Sequence, residues 1–286
     1  MSTEVYDTRA CALGEGPLWH PLRKQLFWFD ITAGKLLSRD ADGPRTWSFD
    51  TEVSAAGWVD HDTLLIASAT ALLRFDLRDG TSTEICPLEH TNSVTRSNDG
   101  RADPYGGFWI GTMGRNVEPA AGAIYRYYQG ELRKLFADIT ISNAICFAPS
   151  RNHAYFTDTL TGCVMMVPLD RRGWPSGAPV VFVDLRADGL NPDGAVTDAD
   201  GLVWIAQWGA SRVAAYDQAG QFVRAVEVPA RHSTCPAFGG EDMTDLYVTS
   251  ATQGISARTL ADQPTNGMTF RATGIARGLE EPRVFL

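Results

Sequence analysis

The amino-acid sequence predicts an all-β fold, because one strand pattern recurs six times and no amphipathic helix extends over any long window. The six copies are "LFWFD", "LLIAS", "FWIGT", "AYFTD", "VWIAQ" and "LYVTS". Their anchor residues are Trp28, Leu65, Trp109, Tyr155, Trp204 and Tyr247. Successive anchors lie 37 to 49 residues apart, a spacing typical of β-propeller blades. We therefore predict a six-bladed β-propeller, as a single domain over residues 1–286.

The other strands of each blade follow the anchor strand in order. A second alternating segment comes after a polar turn, for example "KLLSRD" and "LLRFDL", and a third follows in the first five copies, for example "RTWSFD". The sixth copy lacks a third segment, whereas "EVYDTRA" at residues 4–10 alternates like a strand and precedes the first copy. We expect this N-terminal strand to complete the sixth blade and close the ring, which would protect the sheet edges.

Composition excludes several classes of partner. The chain of 286 residues carries 25 Lys and Arg against 34 Asp and Glu, with a net charge of −9 and no basic run. We therefore expect no nucleic-acid partner and no membrane partner, and no obligate protein partner is indicated. The N-terminus has neither a basic nor an apolar leader pattern, so a cytoplasmic location is expected. The five scattered cysteines predict buried thiols rather than a disulfide framework.

Polar residues recur at one phase of the repeat. Residues 11 to 13 positions before the anchors are Glu15, Ser54, Asn98, Asn143, Asp193 and Cys235. The innermost strands of a propeller border one central channel, so these side chains should converge on it. Four of the six carry a carboxylate or amide. Asp and Asn beside Gly or Pro are also common turn formers, but one shared phase favours a common site.

The residue types at this phase are typical ligands of a hard cation. Glu, Asp and Asn oxygens, without Cys or His, are the donors that Ca²⁺, Mg²⁺ or Mn²⁺ prefer. Glu15 and Asp193 would repel each other in one channel unless a cation lay between them. The five histidines show no metal-binding spacing and no Gly-x-Ser-x-Gly elbow is present, so a zinc protease or serine hydrolase has no support.

Several motifs together resemble the gluconolactonase/regucalcin family, also called the senescence marker protein and luciferin-regenerating enzyme family. They are "LGEGPLW" at 13–19, "RSNDG" at 96–100, "ISNAI" at 141–145, "NPDGAVTDADGLVWIA" at 191–206 and "FGGEDMTDLYVTSA" at 238–251. The likeness runs from about residue 11 to 275, with the motifs in order. The resemblance implies a six-bladed propeller with one divalent metal ion in its tunnel and hydrolysis of a sugar lactone.

The resemblance also implies roles for individual residues. The family's metal-ligand positions match Glu15, Asn143 and Asp193. Its substrate-contacting pair matches Arg96 and Asn98, and Glu118, in a loop of different length, is a candidate for a further acidic contact. The metal is expected to be one of Ca²⁺, Zn²⁺, Mn²⁺, Mg²⁺ or Fe²⁺.

These assignments lead to a hypothesis for the reaction. A divalent ion lowers the pKa of water and polarises an ester carbonyl, and Asp193 would accept the proton of the attacking water as general base. The expected partner is a small-molecule sugar lactone, an aldono-1,4- or 1,5-lactone. Two alternatives stay open: a non-enzymatic metal-binding or interaction propeller, and a metal-dependent esterase with another ester substrate.

Overall fold

The computed structural model describes residues 3–286, so Met1 and Ser2 of the predicted 1–286 domain lie outside it. Its strands form six four-stranded antiparallel sheets, one for each predicted repeat. The first sheet comprises β2 (Gly14–His20), β3 (Gln25–Asp30), β4 (Lys35–Asp40) and β5 (Gly43–Ser48). The second comprises β6 (Val53–Trp58), β7 (Thr63–Ser68), β8 (Ala71–Asp76) and β9 (Ser82–Pro87). The third comprises β10 (Thr95–Ala102), β11 (Phe108–Gly114), β12 (Gly122–Tyr128) and β13 (Glu131–Ile139).

The second half of the chain repeats this arrangement. The fourth sheet comprises β14 (Ser142–Phe147), β15 (His153–Asp158), β16 (Cys163–Pro168) and β17 (Val180–Asp184). The fifth comprises β18 (Asn191–Thr197), β19 (Val203–Trp208), β20 (Arg212–Tyr216) and β21 (Phe222–Glu227). The sixth comprises β22 (His232–Gly239), β23 (Asp245–Ala251), β24 (Thr269–Ala272) and β1 (Thr3–Asp7). The prediction of a six-bladed β-propeller is therefore confirmed.

The N-terminal strand closes the ring as predicted. β1 pairs antiparallel with β24, with Thr3 opposite Ala272 and Val5 opposite Phe270. The first and last described strands of the chain thus share one sheet, and β24 is covered on the side that the sixth repeat leaves without a strand of its own. Because the ring is closed by hydrogen bonds of this sheet, the sixth blade depends on both ends of the chain.

Aromatic anchors pack between neighbouring blades. Trp28, Trp109 and Trp204 are completely buried, so these three anchor residues lie in the core. Trp109 of β11 meets Phe147 of the next blade edge to face at a centroid distance of 5.4 Å, and Trp204 of β19 meets Phe238 in the same way at 6.0 Å. These aromatic contacts join the third blade to the fourth and the fifth blade to the sixth.

Two features were not predicted from the repeat. A short helix, α1 (Ala257–Asp262), lies in the long β23–β24 connection. After β24 the C-terminal segment, residues 273–286, continues across other blades. The Ala199 amide donates a hydrogen bond to the Arg277 carbonyl oxygen, and the Val284 amide donates one to the Trp58 carbonyl oxygen. This segment contacts the innermost strand of the third blade through an ion pair between Arg101 and Glu281.

Residues 3–286 contain five cysteines and few helical residues. All five cysteines are free thiols; four of them are buried as predicted, whereas Cys86 is only partly buried. None of the helices in this part of the chain has the length and apolar content that a membrane crossing requires.

A buried histidine in the first blade predicts acid sensitivity of the fold. His20 is completely buried, its Nε2 lies 3.0 Å from the Asp60 carbonyl oxygen, and burial lowers its pKa to about 4. The unfolded chain binds a proton at His20 below about pH 6.5 while the fold keeps the ring neutral. We therefore expect the free energy of unfolding to fall between about pH 6.5 and pH 4, by up to about 3 kcal/mol.

Urea unfolding across this pH range measures the effect. In His20→Gln the loss should be smaller, whereas the exposed control His90→Gln should follow the wild-type curve. Parallel pH curves for wild type and His20→Gln would contradict the prediction.

Candidate functional site

Each innermost strand is irregular at the depth where the polar residues were predicted. The pairing with the second strand shifts register in all six blades. In β10 the shift lies between Ser97 and Gly100, and in β18 between Pro192 and Ala195. A β-bulge takes residues out of the ladder and re-aims their side chains. Asn98 and Asp193 lie within these bulges, and their side chains line the channel cavity.

A cavity of about 290 Å³ collects five of the six predicted site residues. Its deeper part is lined by Glu15, Arg96, Asn98, Asn143 and Asp193, which come from four different blades. All five are buried, with 4–6 % of their surface exposed. Residues that are up to 178 positions apart in the sequence therefore lie together at the bottom of one cavity. We refer to these five residues as the polar floor. The two remaining phase positions, Ser54 and Cys235, are buried but are not among the residues that line this cavity.

Glu118 occupies a different position. Its carboxylate accepts hydrogen bonds from the backbone amide and the side-chain amide of Asn116, both at 3.0 Å. The neighbouring Val117 lines the cavity, whereas Glu118 is not among the lining residues in the described chain. Glu118 therefore holds the β11–β12 loop together, and its role as a substrate contact stays a prediction.

A chain of hydrogen bonds fixes the amides of the floor. Arg96 Nη1 donates to Asn98 Oδ1 at 2.8 Å, and Asn98 Nδ2 donates to Asn143 Oδ1 at 3.1 Å. Asn143 Nδ2 in turn donates to Thr159 Oγ1 at 2.8 Å, and Thr159 Oγ1 donates to the Pro192 carbonyl oxygen at 2.8 Å. This network ties the third, fourth and fifth blades together, and it orients Asn143 with its amide nitrogen away from Asn98.

The floor carries more negative charge than the protein itself compensates. Burial and the nearby charge of Asp99 raise the pKa of Glu15 to about 8, and burial together with Glu15 and Asp99 raises the pKa of Asp193 well above its usual range. The Glu15 carboxylate accepts one hydrogen bond, from the backbone amide of Gly16 at 3.0 Å. Arg96 is the cation in this cavity, and its own pKa is lowered to about 10 by burial. Two closely placed acids with too little positive charge favour a bound cation.

The donor set fits a hard divalent metal ion. Glu15, Asn143 and Asp193 offer oxygen atoms in a buried cavity with adjoining free volume, and such ligands suit Ca²⁺, Mg²⁺ or Mn²⁺. Among residues 3–286 no three or more His, Cys, Asp or Glu side chains are grouped so that they could hold a metal ion. A metal ion on this floor would therefore need the amide oxygen of Asn143 in addition to the two carboxylates.

Two further polar residues lie near the floor but were not assigned a role from the sequence: Thr159 lines the cavity, whereas Asp99 is buried beside Asn98 and is not among the lining residues. Thr159 follows β15 and bonds Asn143, so it lies outside the innermost strands that the repeat phase identifies. Asp99 is next to Asn98 in "RSNDG", is buried, and accepts a hydrogen bond from the backbone amide of Ile145 at 2.7 Å. Burial raises its pKa to about 6. The acidic type of Asp99 was visible in the motif, but its contact with the next blade depends on the bulge between Ser97 and Gly100.

Comparisons with known proteins agree with this geometry. The family model described as SMP-30/Gluconolactonase/LRE-like region matches residues 13–252. The chain is 35% identical to an L-arabinolactonase of Azospirillum brasilense, over 99% of this chain and 95% of that protein. It is 33% identical to a 6-deoxy-6-sulfogluconolactonase of Pseudomonas putida, over 94% of both chains.

A solved structure is also close to this fold. The crystal structure of a calcium-binding protein, regucalcin, from Agrobacterium tumefaciens strain C58 superposes with a TM-score of 0.97 at 38% identity, over 100% of this chain and 98% of that chain. The extent of these matches confirms the resemblance found in the motifs. The chain belongs to the SMP-30/gluconolactonase/LRE-like family.

Proposed function

We propose that the protein is a hydrolase that opens a sugar lactone, an aldono-1,4- or 1,5-lactone, to the aldonic acid with one divalent metal ion, in a single propeller domain over residues 1–286. The observation that carries the proposal is the polar floor. There two carboxylates without enough nearby positive charge, a hydrogen-bonded asparagine amide and a buried arginine line one cavity. The names of the two lactonase relatives and of the calcium-binding regucalcin support it.

The reaction requires a nucleophilic water, stabilisation of an oxyanion and a proton for the leaving oxygen. When bound at Glu15, Asn143 and Asp193, a divalent ion supplies a Lewis acid that acidifies water and polarises the ester carbonyl. The water oxygen forms a bond to the carbonyl carbon, the ring C–O bond breaks, and the released alkoxide takes up the proton. The product is an open-chain hydroxy acid.

The side chains of the floor divide these tasks. Asp193 accepts the proton of the attacking water and returns it to the leaving oxygen. Arg96 keeps a positive charge inside the cavity and donates hydrogen bonds to carbonyl or hydroxyl oxygens of the substrate. Asn98 already uses its amide for Arg96, Ser142 and Asn143, so in addition to a substrate contact we propose that it positions Asn143.

A lactone panel with controlled metal content tests the function. Protein stripped with EDTA should release no acid from aldonolactones above the uncatalysed rate, and one of Ca²⁺, Mg²⁺, Mn²⁺, Zn²⁺ or Fe²⁺ should restore turnover, followed with a pH indicator. The same ion should raise the thermal unfolding temperature, because it binds the folded state alone.

Two results would contradict the proposal. Metal binding without hydrolysis of any lactone would favour a non-enzymatic metal-binding propeller. Faster hydrolysis of aryl esters than of every lactone would favour a general metal-dependent esterase.

A further inference from the structure

The entrance of the cavity differs in chemistry from its floor. Leu160, in the β15–β16 turn, is 63 % exposed and lines the cavity. Val117, in the β11–β12 loop, is 39 % exposed and lines it as well. Trp208, at the end of β19, adds an aromatic surface from the next blade. Three consecutive blades thus contribute one large apolar side chain each to a site whose floor is polar, and we refer to these three residues as the apolar rim.

The apolar rim is held in place by local structure. Val117 has a φ of 61°, which is rare and costly for a β-branched residue, and the Glu118 carboxylate and Asn116 clamp the loop around it. The turn with Leu160 is capped by Asp158, which accepts a hydrogen bond from the Leu160 amide at 3.3 Å. Trp208 stacks on the His232 ring at a centroid distance of 4.0 Å. The rim is therefore a preformed surface.

Charge is confined to the floor. Within residues 3–286 the charged side chains that line this cavity are Glu15, Arg96 and Asp193, and all three are buried. The exposed polar residues at the entrance are the neutral Asn191 and Gln253. A substrate with a phosphate or sulfonate at its far end would find no cation at the rim, whereas its ring hydroxyls would still find polar partners.

From this distribution we infer that the preferred substrate is a deoxyaldonolactone, a sugar lactone whose terminal carbon is a methyl group instead of a hydroxymethyl group. The inference rests on the proposed lactonase function and names the substrate class of the same site. The reacting ester and its neighbouring hydroxyls bind at the polar floor, and the terminal carbon, farthest along the chain from the carbonyl, contacts Leu160, Val117 and Trp208. A terminal hydroxyl in contact with these three side chains would gain no hydrogen bond from them, whereas a methyl group would bury apolar surface against them.

Matched lactone pairs test the inference. L-rhamnono-1,4-lactone and L-mannono-1,4-lactone differ only in the terminal hydroxyl, as do D-fucono-1,4-lactone and D-galactono-1,4-lactone. With the metal-loaded protein we expect kcat/KM to be about tenfold higher for the deoxy member of at least one pair, in line with the discrimination of an apolar pocket. Equal values within both pairs, or a preference for the hydroxylated members, would overturn the inference while leaving lactone hydrolysis intact.

Substitutions of two exposed leucines test whether the apolar rim causes the preference for the deoxy lactone. Leu160→Gln should reduce the deoxy preference to less than about threefold, mainly through KM for the deoxy lactone, since a polar side chain replaces the apolar contact. The matched control Leu22→Gln, at a leucine that is 56 % exposed and outside the cavity, should keep the wild-type ratio. An unchanged ratio in Leu160→Gln would overturn the role of the rim.

Two further results separate this inference from its premise. Hydrolysis of no lactone at all would refute the proposed function and the inference with it. Faster turnover of γ-hexalactone, an alkyl lactone without ring hydroxyls, than of any deoxyaldonolactone would refute the sugar part of the inference alone.

Discussion

Asp193→Asn is expected to lower lactone hydrolysis roughly 10³-fold, because an amide neither accepts the proton of the attacking water nor holds a metal ion as strongly as a carboxylate. The six sheets should stay intact, since asparagine has the same shape. Initial rates with saturating metal ion measure the first effect, and circular dichroism measures the second. The exposed control Asp242→Asn should keep full activity. Activity within a few-fold of wild type would contradict the role of Asp193.

Asp193→Asn should lower activity but should not lower the stability of the metal-free protein. In protein without metal ion, Asp193 and Glu15 are buried near each other and raise each other's cost of ionisation. A neutral amide removes that repulsion, so metal-free Asp193→Asn should unfold at the same temperature as metal-free wild type or at a higher one. At one metal concentration, addition of the ion should stabilise wild type more than Asp193→Asn. This pair of results separates a functional carboxylate from one that only supports the fold.

Arg101→Met is the second substitution for which we expect a large effect. The Arg101 guanidinium pairs with the Glu281 carboxylate, and the two side chains are 9 % and 6 % exposed. Removing the cation leaves a buried carboxylate without its partner, a change that costs about 3–5 kcal/mol. The free energy of unfolding in urea should fall by that amount. The Trp58 indole also bonds the Glu281 carbonyl oxygen at 2.7 Å, so the C-terminal segment should loosen from the second and third blades.

A double substitution and an exposed pair serve as controls. Arg101→Met combined with Glu281→Leu should recover much of the loss, because two apolar side chains replace the buried charges together. Arg78→Met, in a pair with Asp76 where Arg78 is 70 % exposed, should change stability by less than about 1 kcal/mol. A loss in Arg101→Met as small as that in Arg78→Met would contradict a buried ion pair.

The repeat phase identified the channel side chains because a propeller places equal positions of every blade at equal depth. Glu15, Asn98, Asn143 and Asp193 were therefore predictable from spacing alone, and they line one cavity. Arg96 and Glu118 came only from the family motif. Arg96 lies on the floor, whereas Glu118 bonds Asn116 in a loop, because loop conformation depends on local hydrogen bonds that spacing does not encode.

Other parts of the site had no periodic signal. Thr159 contacts Asn143 from a turn after β15, and Asp99 accepts a hydrogen bond from Ile145 of the next blade out of the bulge between Ser97 and Gly100. The C-terminal segment binds through single contacts, such as Arg101 with Glu281, that have no counterpart in other repeats. Repeat spacing predicts only the features that recur in every blade. Contacts that occur once in the fold therefore could not be predicted from it.

Closure of the ring by β1 and β24 also constrains how the chain is made. Thr3 pairs with Ala272, so β1 waits for a partner strand that is synthesised only after the other five blades. During translation, five blades can assemble in order while the sixth stays incomplete and its strands keep an open edge. Nascent chains that stall before residue 269 should therefore need chaperone protection, and emergence of β24 from the ribosome should be the event that allows the sixth blade to form.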